Sequence, residues 1–188
     1  MRSAAGDPKL PVTPPTTGAR VVFFRISEQH NLQLPSRHRH DPTPVHVVDE
    51  NAELLGDLEP DSWFAIDLAP GDHQFFAWHD QTVNAHEVSA LRATLLAKHV
   101  YYVVLMRSAK DGFFSRAPLE LSRSAPPLDE TEWPSLHAMV TDRADAHLWS
   151  TIESEAVHAR IQEGENLIAH KQFNVVRASD GFTSLNDE

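Results

Sequence analysis

The sequence predicts a mainly β fold, an antiparallel β-sandwich of about seven to eight strands followed by a C-terminal α-helical extension. Three observations predict it. Residues 45–78, VHVVDENAELLGDLEPDSWFAIDLAPGDHQFFAW, divide into short apolar-rich runs separated by turn formers. Two other runs, ARVVFFRI and HVYYVVLMR, are dense in β-branched and aromatic residues, as buried strands are. Turn signals recur at short spacing as far as residue 125, the rhythm of a sandwich rather than of alternating strands and helices.

Residues 1–18 hold Pro8, Pro11, Pro14 and Pro15. Fixed φ and missing N–H groups deny a helix there and favour an extended arm or linker. The first strand is expected at 19–26, where the continuous run Val21–Val22–Phe23–Phe24 fits a strand buried on both faces. Residues 27–43 read as a long polar loop broken by Pro35 and Pro42. Strands follow at 45–49, 53–58, 62–68 and 73–79. In the third of these, Phe64, Ile66 and Leu68 alternate with Trp63, Ala65 and Asp67, so the first set is the core face and Trp63 points away from it. Pro70–Gly71 suits the two central positions of a turn that needs positive φ at its second residue. Residues 86–96 carry mixed signals and are read as a strand from their hairpin context. Strands at 99–107 and 113–122 complete the sandwich domain, 19–125.

Pro126–Pro127 marks the next boundary, and 126–176 reads as an acidic amphipathic helical extension. Thr131 is a candidate N-cap. Leu136, Val140, Ala144, Leu148, Ile152 and Ala156 then recur every four residues. Each such step outruns a helix of 3.6 residues per turn by about 40°, so one straight helix cannot present all six to a flat surface. Ile161, Leu167, Ile168 and Phe173 suggest a further short helix, with Gly164 as an interruption. Residues 177–188 read as a flexible tail.

Composition excludes several functions. The 188 residues include no cysteine, which rules out disulfides, thiolate catalysis and zinc–thiolate or iron–sulfur sites within the chain. A net charge of −11 argues against nucleic-acid binding. The charge is concentrated: residues 126–188 contribute −8 of it. No apolar run approaches the roughly 20 residues of a membrane span, and the N-terminal segment lacks the apolar core of a signal peptide. The chain as it stands is therefore expected in the cytoplasm, or in the periplasm or envelope if a leader precedes it.

Four stretches carry a resemblance: Arg20 to Arg25; Val45 to Leu58, with V-x-V-V-D-E-N and L-G-x-L; Ser62 to Ala77, with S-x-F-x-x-D-L-x-P-G-x-H; and Lys98 to Val104, with K-x-V-Y-Y-V. Together, over about half of the chain, they resemble the bacterial DUF2846-type domains and are similar to the shorter PEGA modules. The resemblance implies a small β-sandwich of the kind often carried on envelope lipoproteins, and it supplies no catalytic residues. The chain departs from that pattern in lacking a lipobox cysteine, and its acidic C-terminal segment lies outside the match.

The chemistry-bearing residues are sparse. His38 and His40 have the i, i+2 spacing of metal ligands on a strand, with Asp41 beside them, but Arg37 and Arg39 repel a dication. No HExxH, GxSxG, P-loop or GxGxxG motif occurs. No catalytic residue and no cofactor is therefore assigned. Trp63, pointing away from the core face, is expected either under the C-terminal helix or in a partner interface, and Trp149, Leu148 and Ile152 are expected to anchor helix or partner contacts.

The expected function is a non-enzymatic interaction or assembly module. It would bind a protein partner or a second copy through a sheet edge, the N-terminal arm and the C-terminal helices. On that reading, removing 126–188 abolishes assembly and leaves a folded sandwich. The alternatives are a small-molecule- or metal-binding, or hydrolytic, protein that uses the histidine-bearing loops, and an envelope-associated accessory domain.

Overall fold

In the computed structural model the described residues are 2–3, 13–25, 43–79, 88–107, 119–123, 137–140 and 154–183. They form two sheets. The strands, in chain order, are β1 (Arg2–Ser3), β2 (Ala19–Arg25), β3 (Val45–Asp49), β4 (Leu54–Leu58), β5 (Ser62–Leu68), β6 (Gly71–His79), β7 (Ser89–Leu95), β8 (Val100–Arg107), β9 (Leu119–Arg123), β10 (His137–Val140) and β11 (Asn174–Val176). One sheet has the order β1-β10-β5-β2-β8-β9 and the other β11-β7-β6-β3-β4. A helix, α1, spans Ser154–Ala169.

Alternation along each strand builds the core. From the first sheet Val21, Phe23, Phe64, Tyr101, Val103 and Leu105 point inward. From the second come Val45, Val47, Phe75, Ala77, Leu91 and Leu95. Phe23 joins the layers, stacking on Phe64 of its own sheet at 5.2 Å and meeting Phe75 of the other edge-on at 5.3 Å. β2 lies between β5 and β8 and is buried on both faces, which is why its sequence runs VVFF without alternation. The β5–β6 turn places Gly71 at φ 134°, as its position after Pro70 predicts.

The sandwich class is as expected, but the sheets are mixed rather than antiparallel. β2 runs parallel to β8, β10 to β5 and β11 to β7. Parallel neighbours cannot come from adjacent hairpins, so each of these pairings joins segments remote in sequence.

The C-terminal region departs most from expectation. Residues 137–140, expected within a helix, form β10: Met139 enters the core, and the strand pairs with Ser62 and Trp63 of β5. The exposed backbone edge of β5 overrides a helical pattern that was already drifting about 40° per step. Gly164 does not interrupt a helix. It lies inside α1 on the stripe of buried Val157, Ile161 and Gly164 and half-buried Ile168, whose steps of four, three and four residues follow the helical period. Residues 177–183, expected in a tail, lie against the sandwich, and 184–188 lie outside the described residues. Val176 is buried in the core, Ala178–Asp180 make one 3₁₀ turn, and Phe182 exchanges both backbone hydrogen bonds with Val100 at 2.9 Å.

The position of α1 is written into β6 and β7. On the outer face of their sheet β6 changes from Asp72 and Gln74 to Phe76 and Trp78, and β7, with Val88 just ahead of it, changes from Ala90 to Arg92 and Thr94. Val157 and Ile161 cover the apolar half, forming one cluster with Phe76, Trp78, Val88 and Ala90, while Thr94 and Asp72 hydrogen-bond to each other in the polar half. Arg160 lies over the Trp78 ring at 5.3 Å and closes the margin of that cluster.

Candidate interaction site

Two places gather polar function inside this frame. The first is a buried clamp at one end of the sandwich. Arg25, at the end of β2, is only 7% exposed, and its guanidinium donates to the carbonyls of Thr43 and Leu58. It ties the first sheet to the segments that open β3 and close β4 in the second. Arg25→Met keeps the stem and leaves those carbonyls without the cation, so a loss of about 3 kcal/mol is expected in urea denaturation. A loss below about 1 kcal/mol would show that the clamp is dispensable. Nearby, His46 Nδ1 lies 2.6 Å from Asp57 Oδ1, and its ring meets Trp78 edge-on at 6.1 Å. A histidine–aspartate pair is part of a hydrolytic triad, but this imidazole is 6% exposed, on a packed sheet face. The geometry is that of a buried cross-strand tie between β3 and β4.

The second place is the edge where β7 meets β11. Asn174, Val175 and Val176 pair in parallel with Leu91, Arg92 and Ala93. Val176 plugs the core, and Val175 stands 45% exposed on the outer face. Beyond it, the chain crosses to the first sheet. The Tyr101 hydroxyl donates to the Ala178 carbonyl at 3.2 Å and accepts from the Leu96 N–H at 2.8 Å. Gly181 lies against the Tyr101 ring, where an added Cβ would come within 2.5 Å of Cζ. Phe182 meets the Tyr102 ring at 6.0 Å. Residues 174–182 are thus a strap across the open side of the sandwich, held by a strand pairing, a hydroxyl relay and one aromatic anchor.

Burial raises the pKa of Tyr101, and it pushes Tyr102 up to about 12 from the ordinary 10. The unfolded chain ionises first, so this stability is intact below pH 10 and lost as pH rises through 12, by about 2–3 kcal/mol for Tyr102. Tyr102→Phe is therefore expected to move the alkaline unfolding midpoint upward. An unchanged midpoint in a circular-dichroism titration would contradict it.

Sequence reasoning placed Trp63 only in part. It does face away from Phe64, but it is 7% exposed, packed in a cluster with Val22, Phe24, Val100 and Tyr102, against which Phe182 rests. The helix covers the other sheet, so Trp63 is neither beneath it nor open to a partner. Trp149, Leu148, Ile152, His38, His40 and Asp41 lie outside the described residues. Among the described residues no group of three or more histidine, aspartate or glutamate side chains is placed to hold a metal ion, and no helix is long and apolar enough to cross a membrane. The strap itself was missed. Its signals were Val175–Val176, two β-branched residues in a polar stretch, and Phe182, a lone aromatic in a tail otherwise fit for disorder.

No family model, curated protein or solved structure matches this chain. The likeness to DUF2846-type and PEGA modules therefore rests on the motifs of the sequence alone.

Proposed function

We propose that this protein is a non-enzymatic interaction module that binds a protein partner, or a second copy of itself, at a sheet edge. The observation that carries this reading is how the sheets are finished. β10 is laid on β5, and β11 on β7, each in parallel and each from a segment remote in the chain. Edges that take strands no neighbouring hairpin supplies have the chemistry of strand addition: main-chain hydrogen bonds give affinity, and alternate side chains such as Val176 fill pockets. The N-terminal and C-terminal segments support the reading in a narrower way than the sequence suggested. Residues 2–3 pair with β10, and α1 covers its own sheet, so both are engaged within the chain. The proposed contact surface is the β7 edge, where β11 is laid on in parallel.

Light scattering on the full chain over about 1–100 μM, with native mass spectrometry and elemental analysis of untagged protein, tests the proposal. Concentration-dependent association, or a stoichiometric protein partner, is expected. A monomer at every concentration that carries a stoichiometric metal or small molecule would overturn it.

A further inference from the structure

We propose that the partner at the β7 edge is a second copy of this chain, whose residues 174–182 replace the strap by strand exchange. This rests on the interaction-module reading above and names its partner. Three observations lead to it.

The hinge is short and strained. Four residues, 170–173, join the end of α1 to the start of β11. The helix closes with Lys171 N–H on the Ile168 carbonyl and Gln172 N–H on the Leu167 carbonyl, the paired bonds of a Schellman turn. That turn needs a left-handed residue where glycine is usual, and here Lys171 takes φ 59°. Opening the turn releases the strain, and short strained hinges favour exchange between copies.

The strap is a self-contained plug. Its contacts fall on Leu91–Ala93 of β7, on β9, and on Val100, Tyr101 and Tyr102 of β8. A second copy presents the same surface, so an exchanged strap regains every one of these contacts, and the cost is that of association alone.

The exposed apolar surface lies where a new contact would form. Among the described residues the exposed large hydrophobics are Val175 in β11, at 45%, and Leu96 just past the end of β7, at 43%. Val175 lies on the strand that would be exchanged, and Leu96 follows the strand that receives it.

The absence of cysteine from the chain allows a direct test. Arg92 and Val175 are register partners and both exposed, so Arg92→Cys with Val175→Cys places two thiols across the β7–β11 pair. The full-length double variant is refolded under oxidation over about 1–500 μM, and the bond is located by peptide mapping of a mixed-isotope sample. The expected result is a covalent dimer that grows with concentration, with residue 92 of one chain bonded to residue 175 of the other. Lys171→Gly, in the chain without these cysteines, relieves the closed turn and is expected to weaken the dimer about tenfold or more in light scattering. Covalent monomer alone at every concentration overturns strand exchange. If the protein still associates in light scattering, the interaction-module reading survives that result; if it is monomeric and binds no partner, both fall.

Discussion

A chain ended at residue 153 is expected to lose its cooperative fold. The truncation removes α1, β11 and the strap together. Phe76 and Trp78, buried beneath α1, would meet water, and fully burying side chains of this kind contributes about 1.5–3 kcal/mol each. Val48, Leu54, Val88 and Ala90 share that cluster and add to the loss. On the other side Val176 leaves the core, and the Val100 edge loses its Phe182 pairing. The sum reaches the whole stability of a typical domain, about 5–15 kcal/mol. The sequence alone led to the opposite expectation, that removing 126–188 would spare a folded sandwich. That held only while the segment was pictured as an outlying helix. Soluble, cooperatively melting protein from the truncated chain, measured by circular dichroism, would show that the sandwich stands without its C-terminal cover.

The contrast shows which features were legible. From Ala19 to Arg107 the strands expected from alternation and turn residues coincide with those observed to within about three residues at either end, because most are local patterns with one answer; β7, with its mixed signals, needed its hairpin context. The inward set Phe64, Ile66 and Leu68 followed from alternation alone. What lay beyond local pattern was the partner of each face. Nothing in Trp63–Phe64–Ala65 says whether the outer side meets water, a helix or a strap, and Trp63 proved buried because Phe24, Tyr102 and Phe182 converge there. His137–Val140 shows the same limit: its strand state is imposed by the open edge of β5, seventy-five residues earlier in the chain. The β7–β11 pairing was hidden for the same reason: Val175–Val176 mark a strand, but nothing local to either segment says that Val175 lies beside Arg92.

Gly164 gives the sharpest test of how α1 is seated, because two effects of known sign oppose each other there. In a helix interior Gly→Ala is ordinarily stabilising by about 1 kcal/mol. Here an added Cβ would overlap Cδ1 and Cε1 of Phe76 and approach Cγ to 3.1 Å. Phe76 is fully buried, between Val48 of β3 and Ala90 of β7, and its ring has no open side to swing into. Overpacking of this kind costs about 1–3 kcal/mol, and overlap with a ring that cannot move belongs at the upper end. Gly164→Ala is therefore expected to destabilise by about 1–2 kcal/mol, a fall of a few degrees in Tm for a chain of this length. The cause is separable by a cycle with Phe76→Leu. The leucine alone opens a void and lowers stability, but it also frees the space the new methyl needs. The double variant is expected to be more stable than the two single losses predict, by about 1 kcal/mol or more. Strict additivity, or a rise in stability from Gly164→Ala alone, would mean that α1 rides higher over the sheet than the close approach of Gly164 to Phe76 requires.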